Sequence, residues 1–128
     1  MNSVAPFRYT VAVRSGYVFV WQSGLATVAE ELRQLQREVE AALAEAGTRN
    51  VLFDNRETQA PDEWIRAMMW TWLSSTPLIR RVAMVQGTVR AQRRANRTAE
   101  LNRVLVQAFM DYDEAVGWLC RDAGTVCE

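Results

Sequence analysis

The sequence predicts an α/β fold: a mixed, mostly parallel five-stranded sheet that opens with a β-hairpin and carries about four helices. Two observations point there. Short runs of β-branched and aromatic residues alternate with stretches of helical periodicity in the order β-β-α-β-α-β-α-β-α, and such alternation implies parallel strands covered by helices. The chain also has 128 residues, 49% hydrophobic and 23% charged, which suits one globular domain burying roughly two thirds of its unfolded surface. No linker or repeat interrupts the order, so a single domain over residues 1–128 is expected.

Phe7 to Arg14 and Tyr17 to Trp21 read as two strands joined by a tight turn at Ser15-Gly16. Thr27-Val28-Ala29-Glu30 has the form of a capping box, in which hydroxyl and carboxylate satisfy each other's exposed amides. Behind it Val28, Leu32, Leu35, Val39 and Leu43 recur at helical spacing, with Gly47 as the stop. Asn50 to Asp54 is the short apolar run of a central strand, followed by a polar loop from Asn55 to Ala60. Pro61 suits the first position of a second helix, which runs to about Ser74 with Asp62 and Glu63 at its positive end. Ile79 to Gln86 predicts the next strand, Val89 to Arg103 an Arg-rich helix, and Val104 to Met110 the last strand. Asp111 to Glu114 offers another capping box, for a short helix through Ala115, Val116, Leu119 and Cys120.

Composition removes several chemistries. All fifteen basic residues are Arg, which excludes lysine nucleophiles, and the absence of His excludes the commonest general base and every Ser-His or Cys-His pair. Fifteen acidic residues balance the arginines, so net charge gives no reason to expect a nucleic-acid partner. The halves differ: residues 1–64 hold six Arg against nine acids, and residues 65–128 nine against six. Cys120 and Cys127 are too few for a disulfide framework and wrongly spaced for a CxxC site, so Cys120 reads as a small core residue. No apolar run is long enough to span a membrane, and a reduced, cytoplasmic protein is expected.

Taken with the order of elements, several segments resemble the STAS superfamily, in particular the small stand-alone SpoIIAA-like proteins of bacteria. They are the opening hairpin, Val51-Leu52-Phe53-Asp54 with its polar loop, Arg81 to Val85, and Ala108-Phe109-Met110-Asp111 followed by Glu114 to Leu119. The resemblance spans nearly the whole chain and implies a βα superhelical fold. It also implies non-enzymatic work, since STAS-like domains bind protein partners and, in some branches, nucleotides or lipids. In the anti-sigma-factor antagonists of the superfamily, a serine at the start of the second helix is phosphorylated within an Asp-Ser-Ser-Gly pattern. Here the corresponding stretch reads Glu57-Thr58-Gln59-Ala60-Pro61-Asp62-Glu63-Trp64, and the pattern is missing. Thr58 is the only hydroxyl in that loop; a phosphate on it would face Asp62 and Glu63, so a turn or capping threonine is the better reading.

Three constellations bear on function. In the second helix Trp64, Ile65, Met68, Met69, Trp72 and Leu73 fill one side, leaving Trp70 roughly 150° away. An exposed Trp70 beside flexible methionines, with Arg66, Met69 and Thr58, would make a partner-binding surface; the alternative is a helix covered all round. In the third helix Arg90, Arg93, Arg94 and Arg97 share one face, suited to an anion such as a phosphate, an acidic partner or a lipid headgroup, or else to a solvated face paired with acids. Ala91, Ala95 and Thr98 on its other side predict close packing on the sheet and little room for a large apolar pocket. Finally, Asp54, Glu57, Asp62 and Glu63 cluster after the third strand but match no calcium-loop pattern. The expected function is therefore a protein-interaction or regulatory module that self-associates, without catalytic residues, metal or cofactor. The alternative is a small-molecule or lipid sensor using the Met/Trp helix and the Arg stripe.

Overall fold

The computed structural model describes residues 5–121. Strands β1 (Arg8–Arg14) and β2 (Tyr17–Gly24) form an antiparallel hairpin, and α1 (Ala29–Ala46), β3 (Asn50–Thr58), α2 (Glu63–Ser75), β4 (Arg81–Val85), α3 (Val89–Asn102), β5 (Val106–Phe109) and α4 (Tyr112–Cys120) follow. The strands lie side by side in chain order, and every pair after the hairpin is parallel. This is the mixed α/β sheet expected from the sequence, with five strands and four helices.

Register explains the two cores. Val20, Phe53, Met84 and Ala108 line up across four strands, as do Val18, Val51, Val82 and Val106. Because successive strand residues face opposite sides, these rows meet one layer: Leu35, Val39 and Leu43 of α1, Trp70 and Leu73 of α2, Ala95 and Ala99 of α3. The intervening Leu52, Ala83 and Val85 meet Ala115 and Leu119 of α4 on the other face. Three helices therefore cover one side of the sheet, and α4 packs on the other.

Several boundaries differ from the sequence expectation. β2 continues to Gly24 and β3 to Thr58, where a loop was expected from Asn55; the two polar extensions pair with each other, Ser23 with Glu57 and Gly24 with Thr58. Ladder bonds satisfy backbone groups whatever the side chains, so these residues need no apolar pattern to form strand. Gly24 is required at the strand end, with φ of 74° and the Pro6 carbonyl so near that a Cβ would collide with it. β4 and β5 are shorter than the runs Ile79 to Gln86 and Val104 to Met110.

The helix starts carry similar corrections. The cap of α1 lies one residue later than Thr27-Glu30: the Glu31 carboxylate accepts from the amides of Thr27 (3.0 Å) and Val28 (3.3 Å). Glu30 is left to pair with Arg37 at 2.8 Å. Pro61 precedes the α2 N-cap, Asp62, instead of opening the helix. α3 begins on Thr88, which accepts from the Ala91 amide, and α4 on Asp111, which accepts from the Glu114 amide.

At the far end of α4, the buried Arg81 donates to the carbonyls of Trp118 (2.9 Å) and Leu119 (3.4 Å) and stacks 4.2 Å from the Trp118 ring. A cation is favoured there, where helix carbonyls converge. Cys120, read as a simple core residue, is disulfide-bonded; the chain's other cysteine, Cys127, lies outside the described residues.

Candidate binding cleft

At the carboxyl ends of β3 and β4 the layer of helices parts. A cleft of about 530 Å³ opens between α2 and α3, with the ends of β2, β3 and β4 as its floor. Open α/β sheets place ligands at this end, outside the carboxyl ends of their strands. The volume lies within the range of small-molecule sites.

The walls are apolar: Ile65, Met69 and Trp70 come from α2, Ala91 and Ala95 from α3, and Phe53 and Met84 from the sheet. The small side chains of α3, expected to exclude a pocket, instead form one wall of it. The reason is that α2 does not close down on them, so the volume saved by alanine is left as space rather than filled by close packing.

Arg66 from α2, with Arg90 and Arg94 from α3, lines the cleft from both sides. None of the three has a carboxylate within ion-pair distance among the described residues, where the salt bridges are Arg33–Glu30, Arg37–Glu30 and Arg56–Asp54. The only hydrogen bond from these three guanidinium groups among the described residues is a long one, 3.4 Å, from Arg66 to the Pro61 carbonyl. The site is thus a greasy slot with uncompensated positive charge along both walls.

Of the residues singled out in sequence, Thr58, Arg66, Met69, Trp70, Arg90 and Arg94 all line this one cleft. Arg93 and Arg97 are exposed on α3 outside it. Trp70 is not on the surface, as its helical phase suggested: it is 9% exposed and part of the larger core. The exposed tryptophan is Trp64, at 48%. The buried arc of α2 runs through Ile65, Trp70 and Leu73, rotated by roughly 85°, a little under one residue, from the apolar stripe. Because the cleft receives Arg66, a charged residue belongs to the inward arc, and an apolar count alone misplaces its centre. The Thr58 hydroxyl donates to the Asn55 carbonyl at 2.7 Å, a local turn bond.

Sequence reasoning missed the floor. Gln22 continues the inward series Val18 and Val20, is 8% exposed, and donates from Nε2 to Asn55 Oδ1 at 2.8 Å. Gln86 stands beside them, beyond Met84. A glutamine at the inward phase of a strand was the readable signal, because a buried amide needs a reason to be there.

Of the acids considered for a cation, Asp54 is committed elsewhere. Its carboxylate takes the Arg56 guanidinium at 2.9 and 2.8 Å and the Arg56 amide at 3.2 Å. Among the described residues no three His, Cys, Asp or Glu side chains come together as a metal site would require.

Known structures share this architecture. An uncharacterised DUF3478-family protein with a SpoIIAA-like fold from Shewanella loihica superposes with a TM-score of 0.71 at 21% identity, covering 94% of this chain and 100% of the other. An anti-sigma factor antagonist from Mycobacterium paratuberculosis gives 0.67 at 16%, with the same coverage. The anti-sigma factor antagonist SpoIIAA in its unphosphorylated form gives 0.56 at 11%, over 94% of this chain and 99% of its own. Identities this low speak to fold alone, and no curated protein matches the chain in sequence. The family model described as SpoIIAA-like matches residues 23–120, from the end of β2 to the end of α4, which takes in the cleft's lining apart from Phe7 and Gln22. With the sheet order and helices in agreement, the chain belongs to the SpoIIAA-like family.

Proposed function

We propose that this protein is a non-enzymatic regulatory module that works by binding a protein partner at the carboxyl end of its sheet. The observation that carries the reading is the chemistry of that end. Trp64, Val28, Val89 and Met110 are 48%, 53%, 50% and 40% exposed. They stand at the starts of α2, α1 and α3 and after β5, so all four belong to the end that holds the cleft and its arginines. Apolar anchors interspersed with guanidinium groups suit an acidic, amphipathic segment. Thr58, Arg66, Met69 and Trp70 form the recess into which such a segment would reach. The anti-sigma factor antagonists among the similar structures act on protein factors by name, which supports a protein partner here. Self-association through this face would require a second copy to bring acidic residues, such as those of α1, against the arginines.

The cleft favours a second reading: a sensor that holds a small anion, with Arg90 and Arg94 as its anion-binding groups, assisted from outside by Arg93 and Arg97. Native mass spectrometry of the protein purified from its own host separates the two. A dimer, or a co-purifying polypeptide that is lost in a folded Trp64→Ser/Val89→Ser variant, is the outcome expected for the interaction module. A reproducible extra mass of a few hundred daltons, typical of a pocket ligand, would make the sensor the primary role. A bare monomer whose captured partners are unchanged by the double substitution would overturn the first reading.

A further inference from the structure

Resting on the sensor reading of the cleft, we propose that its ligand is an anion whose far end carries an adjacent hydrogen-bond donor and acceptor, as an amide, lactam or nitrogen heterocycle does, and not a plain hydrocarbon chain. The floor of the cleft is what decides this. Gln22 and Asn55 are both cleft-lining, and the one bond between them, Gln22 Nε2 to Asn55 Oδ1, uses one function of each amide. Among the described residues, Gln22 Oε1 and Asn55 Nδ2 have no hydrogen-bond partner. Gln22 is nine-tenths buried, so its free acceptor has only the cleft to look into. Gln86 adds a third amide, whose one side-chain hydrogen bond among the described residues is to the Met84 sulfur at 3.9 Å. An acyl tail laid on this floor would strip water from an acceptor and donors and return nothing. A buried polar group left unsatisfied loses the hydrogen bonds it made to water and gains none in exchange. Water can satisfy the amides while the cleft is empty, so the penalty falls on an apolar ligand and not on the free protein.

A ligand with complementary functions would turn the same groups into specificity. Phe53, Ile65, Met69, Trp70 and Met84 present flat or pliable apolar surface to the ligand's body, with the aromatic rings and thioethers suited to a planar one. Arg66, Arg90 and Arg94 then meet the anionic end, where guanidinium forks match carboxylate and phosphate alike. The three layers of the site are an amide floor, apolar walls and a cationic rim. They read a molecule that is polar at both ends and apolar across its middle.

The test compares probes that share an anion and differ at the far end. Orotate and uridine monophosphate carry a donor-acceptor edge with a carboxylate or a phosphate, whereas decanoate carries a carboxylate and a hydrocarbon chain. Titration followed by calorimetry and by tryptophan fluorescence is expected to show at least one heterocyclic anion binding about tenfold or more tighter than decanoate. The stronger of the two identifies the anionic group. Gln22→Met, which keeps length and removes both hydrogen-bonding functions, is expected to erase that preference, as is Asn55→Leu if Gln22→Met fails to fold. Arg94→Gln should weaken all three probes. Decanoate binding tighter, and tighter still in Gln22→Met, would overturn the proposed ligand class while leaving the sensor reading intact. No binding of any of the three to the folded wild-type protein would overturn both.

Discussion

Asp54 shows how a single residue at the end of β3 is committed before any ligand arrives. It is 6% exposed, yet it remains charged because the Arg56 side chain bonds both of its oxygens and holds its carboxyl below the usual carboxylate range. A lowered folded-state pKa means the unfolded chain takes up the proton more readily. The contribution to stability is therefore complete above the unfolded value, about 4, and is lost as pH falls through the folded one. Urea unfolding followed from pH 7 to pH 3 should show the wild type losing stability on acidification more steeply than Asp54→Asn. At neutral pH that variant should be weaker by roughly 1 kcal/mol, the scale of a half-exposed charge-assisted bond. Equal acid slopes would mean the pair carries no linkage. Trp72 is the opposite case: its Nε1 is buried without a hydrogen-bond partner among the described residues.

Among the elements, α3 does two jobs with its two flanks. One flank walls the cleft with Ala91 and Ala95. The other closes the edge of the sheet: Asn96 Oδ1 accepts from the Ala108 amide at 2.7 Å, while Gln92 and Asn96 donate to the Ala108 carbonyl at 3.2 and 3.5 Å. Two side chains thus stand in for the missing neighbour of β5 and blunt an edge that would otherwise invite another strand. Asn96→Ala should cost about 1–3 kcal/mol, since it strands a buried amide. Amide hydrogen exchange at Ala108 should accelerate, and a variant with unchanged exchange and midpoint would show the cap to be idle. Pattern identified every helix and strand, the helices by their apolar periodicity and the strands by short runs of β-branched, aromatic or apolar residues. It failed for the phase of α2, where Arg66 shares the inward arc with Ile65 and Trp70, and for Asn55 to Thr58, which are strand by pairing and not by pattern.

For the molecule as a whole, β3 is the organising strand. It pairs with β2 and β4, sends Val51 and Phe53 into the three-helix layer, and sends Leu52 toward α4. Neither layer can lose its sheet without the other losing it too. Denaturation should therefore be a single transition, with tryptophan fluorescence and far-UV circular dichroism reporting the same midpoint, as expected of small domains. Trp70 reports from one face and Trp118 from the other. Separate midpoints would show that α4 detaches as an independent unit.

The sequence by itself determined the order and kind of the elements, the absence of Lys- and His-based chemistry, and the pairing of an apolar helix with an arginine-rich one. Those follow from local periodicity and composition, which a linear chain displays directly. Only the tertiary structure decided that Thr58, Arg66, Met69, Trp70, Arg90 and Arg94 share one cleft, that Trp70 faces inward, and that Gln22 and Asn55 lie beneath them. The gap between α2 and α3, and the register that brings β2 beside β3, are properties of packing between segments far apart in the chain. No window along the sequence contains both sides of such a contact.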